Sequence, residues 1–458
     1  MQNLKLSIAI TVFLCAILSI WLPSLQNTIT VLTALLGLLE IYSQRDRIKE
    51  FVTTDPPPPT IEPTCGDRPI DLADQRLHVS LSFGSYFTSL LEKEHLYTGI
   101  PGQLVCARAA QSHIKDPLQY ALWTLIDAKG ARILVLAAEG GMGKSTLASK
   151  LIRCLYERED INMILGDSAK QHLINPTTGS VDTITPGYDS ATSFLERLCV
   201  QLGLLYQPDL SDAQQLTNIR DRLIGRRAII VVDNLESVQQ SDRLIKLISS
   251  LVNRHVRAII TTRIASGFDE YAQSIVSIQV TPLKQIDQAR GFLEWHVRQY
   301  QADHQRLAQL VQHPPSHENL AWLITHSSGI PLLMQVLLSE VARTSWLNVA
   351  QRTQLFGQEL LDSLYLDHWN ELANLDAPGH LARTILEFVN REIHQGDRIT
   401  YKQLYGLAED LAQTHILDNA LTLLHERFLI VNSERKDGNY SIYPSLSDFI
   451  QTQLLNDA

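Results

Sequence analysis

The chain has 458 residues, 45% of them hydrophobic and 19% charged, with a formal net charge of −10. That composition excludes a disordered chain and suggests roughly two to four domains. The acidic balance argues against a nucleic-acid footprint. Five scattered cysteines (Cys15, Cys65, Cys106, Cys154, Cys199) form no CxxC pair, which suits unpaired thiols in a reducing compartment better than a disulfide framework or zinc site.

Residues 6–22 are almost wholly apolar, with Lys5 before them and Pro23 after. At 1.5 Å per residue such a helix reaches about 26 Å, near the lower limit for a membrane span. A second apolar stretch, 28–42, is followed by Arg45, Arg47 and Lys49. The simplest expectation is a two-pass hairpin over 1–44 with both ends cytoplasmic and the bulk of the chain in the cytosol. One span plus a surface helix, or a cleaved leader, are the alternatives. Residues 45–69 include four consecutive prolines, Pro56 to Pro59, and read as a stiff polyproline II spacer.

The stretch 71–97 has a helical pattern of no evident role, and 117–127 reads as a helix leading into a first strand. Strand–helix alternation follows. Strands are expected at 133–136, 161–165, 228–232, 258–261 and 275–280, and helices at 147–156, 191–202, 213–223 and 235–251. Short apolar runs separated by helices predict a doubly wound parallel α/β sheet covered on both faces. The turn-rich 175–187 reads as an exposed loop.

Beyond Leu283 the pattern is helical: 285–300, 306–312, 319–327, then 332–343 opened by Ser328-Gly329-Ile330-Pro331. Proline suits a first helical turn, where its missing N–H needs no partner. From about 345 come helices, a helix at 421–426, and strands at 428–431 and 440–443 around an Asp-Gly turn, followed by the segment 448–455. Helix, strand, turn and strand is the layout of a winged helix.

The chemistry sits behind the first strand, in Ala138-Glu139-Gly140-Gly141-Met142-Gly143-Lys144-Ser145-Thr146. A buried strand, a glycine turn, Lys-Ser and a helix form a P-loop. Its backbone amides turn onto phosphate oxygens, Lys144 reaches the β- and γ-phosphates, and the Ser145 hydroxyl ligates Mg²⁺. The helix start adds its positive dipole end. The consensus opens with glycine where this chain has Ala138. Asp233 ends a buried strand about ninety residues later, where a carboxylate can hold the Mg²⁺ shell. Glu236 suits either a general base or a capping residue in the next helix. Arg263, at the end of 258–261, suits a γ-phosphate sensor or a surface charge.

In this order, Gly-Gly-Met-Gly-Lys-Ser-Thr, Val-Val-Asp-Asn-Leu-Glu, Ile-Thr-Thr-Arg, Gly-Ile-Pro-Leu and a winged helix resemble the NB-ARC type of STAND NTPase, AAA+-related, over about 97–452. The resemblance implies a P-loop NTPase domain (70–282 with its helical lead-in), a helical lid (283–345) and a winged-helix domain (346–458). It gives Lys144, Ser145 and Thr146 the phosphate and Mg²⁺ positions, Asp233 the Walker B acid and Arg263 the γ-phosphate sensor. Pro331 matches the family's proline that packs on the adenine. Tyr443 stands where the family places a histidine that contacts the β-phosphate of ADP and locks the resting state. No clear Gly-Arg pair marks the adenine entry; 98–101 is the nearest stretch.

The expected function is a membrane-anchored ATP/ADP switch that self-associates on ATP binding and clusters its N-terminal hairpin in the lipid, in bacterial defence or cell death. An unknown sensor or trigger protein would act on it. The alternative is a non-enzymatic, nucleotide-holding adaptor. DNA binding through the winged helix is the weakest alternative, because Lys402, Arg427, Arg435 and Lys436 face a similar or larger number of acids in 400–458.

Overall fold

The pleat of the central sheet explains the apolar runs. Residues Ile133–Ala137 (β3), Met163–Ser168 (β4), Ala228–Asp233 (β7) and Val256–Thr262 (β8) are buried at every position. Alternate side chains enter two different cores. Leu134, Leu136, Ile164, Ile229, Val231 and Ile259 point to one face, and Ile133, Val135, Leu165, Ile230, Val232 and Ile260 to the other. A sheet covered on both faces has no polar side, so its strands lack polar alternation.

This computed structural model describes residues 78–79, 104–105, 117–126, 131–158, 160–175, 178–264, 268, 274–300, 315–352, 355–395, 399–432 and 439–457. All of them fall in one compact unit. The expected hairpin over 1–44, the proline-rich linker 45–69, the helix at 306–312 and the stretch 98–101 lie outside the described residues. Among the described residues no helix is long and apolar enough to cross a membrane.

Two short strands, His78–Val79 (β1) and Leu104–Val105 (β2), and Ile275–Val280 (β9) complete a seven-stranded sheet of order β1-β4-β7-β8-β3-β9-β2. All neighbours are parallel except β2, which runs antiparallel to β9. The strand at His78–Val79 corrects the helix expected through 71–97. Its ladder partners, Met163 and Ile164, outweigh local helical preference.

Helix Pro117–Ile126 (α1) and Lys144–Glu157 (α2) cover the first face. Ala191–Gln201 (α3), Asp212–Leu223 (α4) and Ser241–Leu251 (α5) cover the second. The single helix expected over 235–251 is broken: Leu235–Ser237 is a 3-10 turn and α5 starts only at Ser241. Asn234 and Gln240 sit at left-handed φ of 68° and 61°. Between them the chain is drawn aside, with Gln239 N–H on the Asp189 carbonyl at 2.8 Å. The loop expected at 175–187 holds the turn and second strand of a hairpin, His172–Ile174 (β5) against Val181–Thr183 (β6), with Gly179 at φ 74° between them.

Beyond β9 lie Ile286–Tyr300 (α6), His317–Ser327 (α7), Pro331–Arg343 (α8) and Trp346–Ala350 (α9). Then come Gln358–Asn374 (α10), Ala377–Gln395 (α11), Tyr401–Asp410 (α12), Leu417–Glu426 (α13) and Pro444–Asp457 (α14). Two-residue strands Val431–Asn432 (β10) and Tyr440–Ser441 (β11) pair antiparallel, and Ile399 bridges to Tyr440. They are shorter than expected. Phe428 takes a left-handed φ of 56° at the end of α13, and Pro444 already opens α14. One apolar core runs without a break from Leu134 and Leu147 through Ile330 and Leu333 to Leu364 and Phe449.

Cys154 is disulfide-bonded, a departure from the expectation of unpaired thiols, and Cys199 is a buried free thiol. Spacing along a chain does not reveal which sulfurs folding brings within bonding reach.

Gly329 joins α7 to α8 at φ 67°, and a Cβ there would stand 2.2 Å from the Leu283 carbonyl oxygen. That carbonyl's residue is tied in turn, its N–H donating to Gly329 O at 2.9 Å. Gly329→Ala is expected to cost about 2–4 kcal/mol, combining the left-handed penalty with overpacking, as read by chemical denaturation.

Candidate nucleotide-binding site

Lys144, Ser145, Asp233, Glu236 and Arg263 lie at the carboxyl edge of the sheet, where parallel strands hand over to loops. Ala138 N–H still ladders to Thr262 O at 3.1 Å before the glycines turn the chain. Ala138 is fully buried, so alanine at the consensus glycine is accommodated. Gly141 and Gly143 take φ of 78° and 84°. A Cβ on Gly143 would meet no protein atom within 4 Å, so backbone conformation alone asks for glycine there. Gly143 is the N-cap of α2, leaving the first amides of that helix facing the loop. Met142 is buried, and Thr146, half-buried, sits in the first turn of α2.

Lys144 folds back over its own loop, donating from Nζ to the carbonyls of Ala138 at 2.9 Å and Glu139 at 3.0 Å. Burial is the main cause that lowers its pKa to about 8, against the opposing pull of Glu236, with Arg263 lowering it further. A buried ammonium that donates to uncharged carbonyls is suited to pairing with an anion.

Asp233 is fully buried and receives three hydroxyls. Ser145 donates to its Oδ1 at 2.6 Å, Thr261 to the same oxygen at 2.7 Å, and Ser168 to Oδ2 at 2.6 Å. Strand β7 does not pair with β3, because β8 lies between them. The Asp233 side chain reaches Ser145 across that strand's end. Ser168 and Thr261 were not singled out by sequence, although a polar residue ending a buried strand was the available signal. Tyr188, whose hydroxyl donates to the Asp233 carbonyl at 3.1 Å, lies in a loop with no such signal. Ser145 hydroxyl beside an anchored carboxylate is a donor set of the kind Mg²⁺ takes.

Glu236 and Arg263, read separately from sequence, are a pair. Arg263 N–H donates to Glu236 Oε2 at 3.0 Å, and its Nε stands 3.2 Å from Oε1. Arg263 Nη1 also donates to the Leu364 carbonyl of α10 at 3.0 Å. Glu236 is therefore committed to Arg263 here rather than capping a helix. Gly140 leaves room for this contact, since a Cβ would come within 2.8 Å of Leu364 Cδ2 and 3.4 Å of Arg263 Cζ.

Pro331 is the first residue of α8, and the next amide, Leu332 N–H, donates to Gly141 O at 3.2 Å. Tyr443 is half-buried, and burial followed by the Glu139 carboxylate raises its pKa. Glu139 is itself fully buried, and burial raises its pKa despite His368 and Arg263 nearby. Lys144, Ser145, Asp233, Glu236 and Arg263 thus share one edge, with Pro331 brought to the glycine loop by α8.

A family model described as "AAA domain" matches residues 126–267, a stretch well short of half the chain. This stretch is an ATPase domain of the AAA, P-loop type. No curated protein matches the chain. Among solved structures it is similar to the Walker-type ATPase PABY2304 of Pyrococcus abyssi, at 15% identity and a TM-score of 0.46, over 73% of this chain and 95% of that one. It is similar to Cdc6p of Pyrobaculum aerophilum at 14% identity and a TM-score of 0.34, over 79% and 97%. A STAND protein with a tetratricopeptide repeat sensor, PH0952 of Pyrococcus horikoshii, gives 16% and 0.31, over 73% and 42%. Likeness at these scores carries no argument about activity.

Thr261→Val removes one donor to Asp233 and the acceptor of the Asn234 amide, bound at 2.9 Å. It is expected to lower stability by about 2–3 kcal/mol in urea denaturation, because both groups it abandons are poorly hydrated.

Proposed function

We propose that the chain is a membrane-anchored ATP/ADP switch of the NB-ARC STAND type, in which 283–345 act as lid and 346–458 as winged-helix domain over the NTPase domain 70–282. The observation that carries this reading is a double clasp on the site, one contact on the glycine loop and one on Arg263. Leu332 of α8 bonds Gly141 O, and α10 holds Arg263 through the Leu364 carbonyl. A guanidinium that can pair with a γ-phosphate is engaged instead by a helix of the C-terminal half. Exchange of partners at Arg263, from the Leu364 carbonyl to phosphate, would couple the arriving triphosphate to release of that half.

In this reading Lys144 and the amides of 140–146 hold the β- and γ-phosphates, and Ser145 with Asp233 holds Mg²⁺. The ion supplies charge neutralisation of the phosphates. Pro331 packs on the adenine, and Tyr443 donates a neutral hydrogen bond where a cation would lock ADP more tightly. Glu236 becomes free to orient a water only when Arg263 leaves it. Released protomers associate and cluster their N-terminal hairpins in the membrane, with a defence or cell-death role following from the resemblance. The alternative, an adaptor that holds nucleotide permanently, rests on the same site and differs only in turnover.

The test is particle size of the full chain in detergent with ADP against a slowly hydrolysed ATP analogue, together with exchange of a fluorescent ADP. Growth in size with the analogue supports the switch. Constant size with nucleotide that never exchanges assigns the adaptor. Lys144→Ala is expected to remove nucleotide binding in either case.

Lys144 also predicts a pH dependence. Phosphate raises the pKa of Lys144 above its value of about 8 in this state, so binding takes up a proton above pH 8. Affinity is flat below pH 8 with respect to this group and falls as pH rises. Titration calorimetry at pH 7 and pH 9 is expected to show about tenfold weaker binding at the higher pH.

A further inference from the structure

The nucleotide groups occupy the carboxyl edge of the sheet, and the opposite, amino edge has a charge of its own. Three adjacent strands, β7, β8 and β3, are each led in by arginine: Arg226 and Arg227, Arg254, and Arg132. Pairing of Ala228 with Val256, and of Ile133 with Ala258, brings these lead-ins side by side. The Ala228 amide donates to the His255 carbonyl at 2.9 Å, and the Ala258 amide to the Arg132 carbonyl at 3.0 Å. Helix α4 ends at the same edge with Arg220 and Arg222. Arg220 donates to the Ser250 carbonyl in the last turn of α5 at 2.7 Å, and Arg222 to the Leu202 carbonyl at the end of α3 at 3.1 Å. All six arginines are exposed. Against them, among the described residues, stand Asp221 and, before β4, Glu157 and Asp160, the last bonded to Arg158 at 2.9 Å. A chain of net charge −10 thus concentrates cations on one edge.

The same edge carries bare apolar side chains. Val200, Leu205 and Ile224 are 53%, 82% and 76% exposed. Each lies within three residues, along the chain, of the bond between Arg222 and Leu202. Ile224 sits in the stretch 220–227, which holds four of the arginines.

Aliphatic side chains set among arginines match a surface that is negatively charged outside and apolar beneath. We propose that this amino edge is a docking face for an anionic lipid surface, with the arginines at the headgroups and Ile224 and Leu205 entering the acyl boundary. Nucleic acid offers phosphate but no layer for aliphatic groups, and 220–227 has no aromatic ring on which bases would stack. Docking here turns the nucleotide site, with the helices clasped on it, away from the lipid, because the two edges are opposite ends of the same strands. The face goes beyond the anchored switch, since it needs neither a membrane span nor nucleotide exchange.

The test is hydrogen–deuterium exchange of the full chain with nanodiscs of phosphatidylcholine, alone or mixed with phosphatidylserine, read at 203–206 and 220–227. The docking face predicts that the serine-containing discs protect both stretches at about 0.05 M salt and no longer do so at about 0.5 M. Neutral discs should protect neither. An arginine near an anionic surface contributes about fivefold in affinity, so Arg227→Gln with Arg254→Gln is expected to lower protection by up to about thirtyfold. Ile224→Ser keeps the charge and is expected to lower it by about tenfold. Nucleotide binding at the far edge reports that each variant is folded. Protection equal in both discs, absent from both, unchanged by the double variant or retained at high salt overturns the proposal. So does protection that appears without lipid and rises with protein concentration, which assigns the edge to a second copy. Stronger protection by duplex DNA than by the charged discs overturns it as well. A chain held in either disc with both stretches unprotected keeps the membrane anchor and removes the docking face. Protection by charged discs without growth in particle size on the ATP analogue keeps the face and removes the switch.

Discussion

The Asp233 carboxylate, fully buried under three hydroxyls, organises the edge of this sheet. Ser168 comes from β4, Thr261 from β8 and Ser145 from α2, so one side chain ties three strand ends to the P-loop helix. A buried anion is tolerable only when its lone pairs are occupied. Each hydroxyl therefore fixes the strand that carries it. Tyr188 adds a fourth tie through the Asp233 carbonyl, and Thr261 a fifth by accepting the Asn234 amide. The result is a phosphate loop anchored from below before any ligand arrives.

Above that anchor the glycines serve contact as well as turning. Gly140 lies against Leu364 and Arg263, and Gly141 against Ile330 and Leu332. Side chains at either position would push the C-terminal helices off the loop. The continuous core from the sheet to α14 supplies the cohesion, while the polar contacts at Gly141 and Arg263 set the register. Apolar burial is non-directional, so specificity of this docking falls to the polar groups.

Much of this was legible along the chain. The strand at Ile275–Val280 matches its apolar run, and the starts of α3 and α4 follow Ser190 and Ser211, each closing a capping box. Lys144 and Ser145 were recognisable because a phosphate loop needs a fixed spacing within one strand–turn–helix unit, and Asp233 because a carboxylate ends a buried apolar strand. The break in the 235–251 helix was not legible. It depends on Gln239 reaching Asp189 and Ala191, about fifty residues away in sequence. The strand at His78–Val79 was missed for the same reason, since its identity comes from the ladder to Met163–Ile164.

Sequence by itself determined the parallel sheet, the glycine loop and the acidic residue ninety positions on, because each is a local pattern of burial or backbone freedom. Tertiary structure alone decided who meets whom. β8 separates the P-loop strand from the Asp233 strand, Glu236 binds Arg263, and Arg263 reaches the Leu364 carbonyl. It also decided that Glu139, inside the motif, is fully buried with one carboxylate oxygen on the Gly140 amide. Side-chain partners across a domain are chosen by the geometry of packed helices, and no local spacing encodes that.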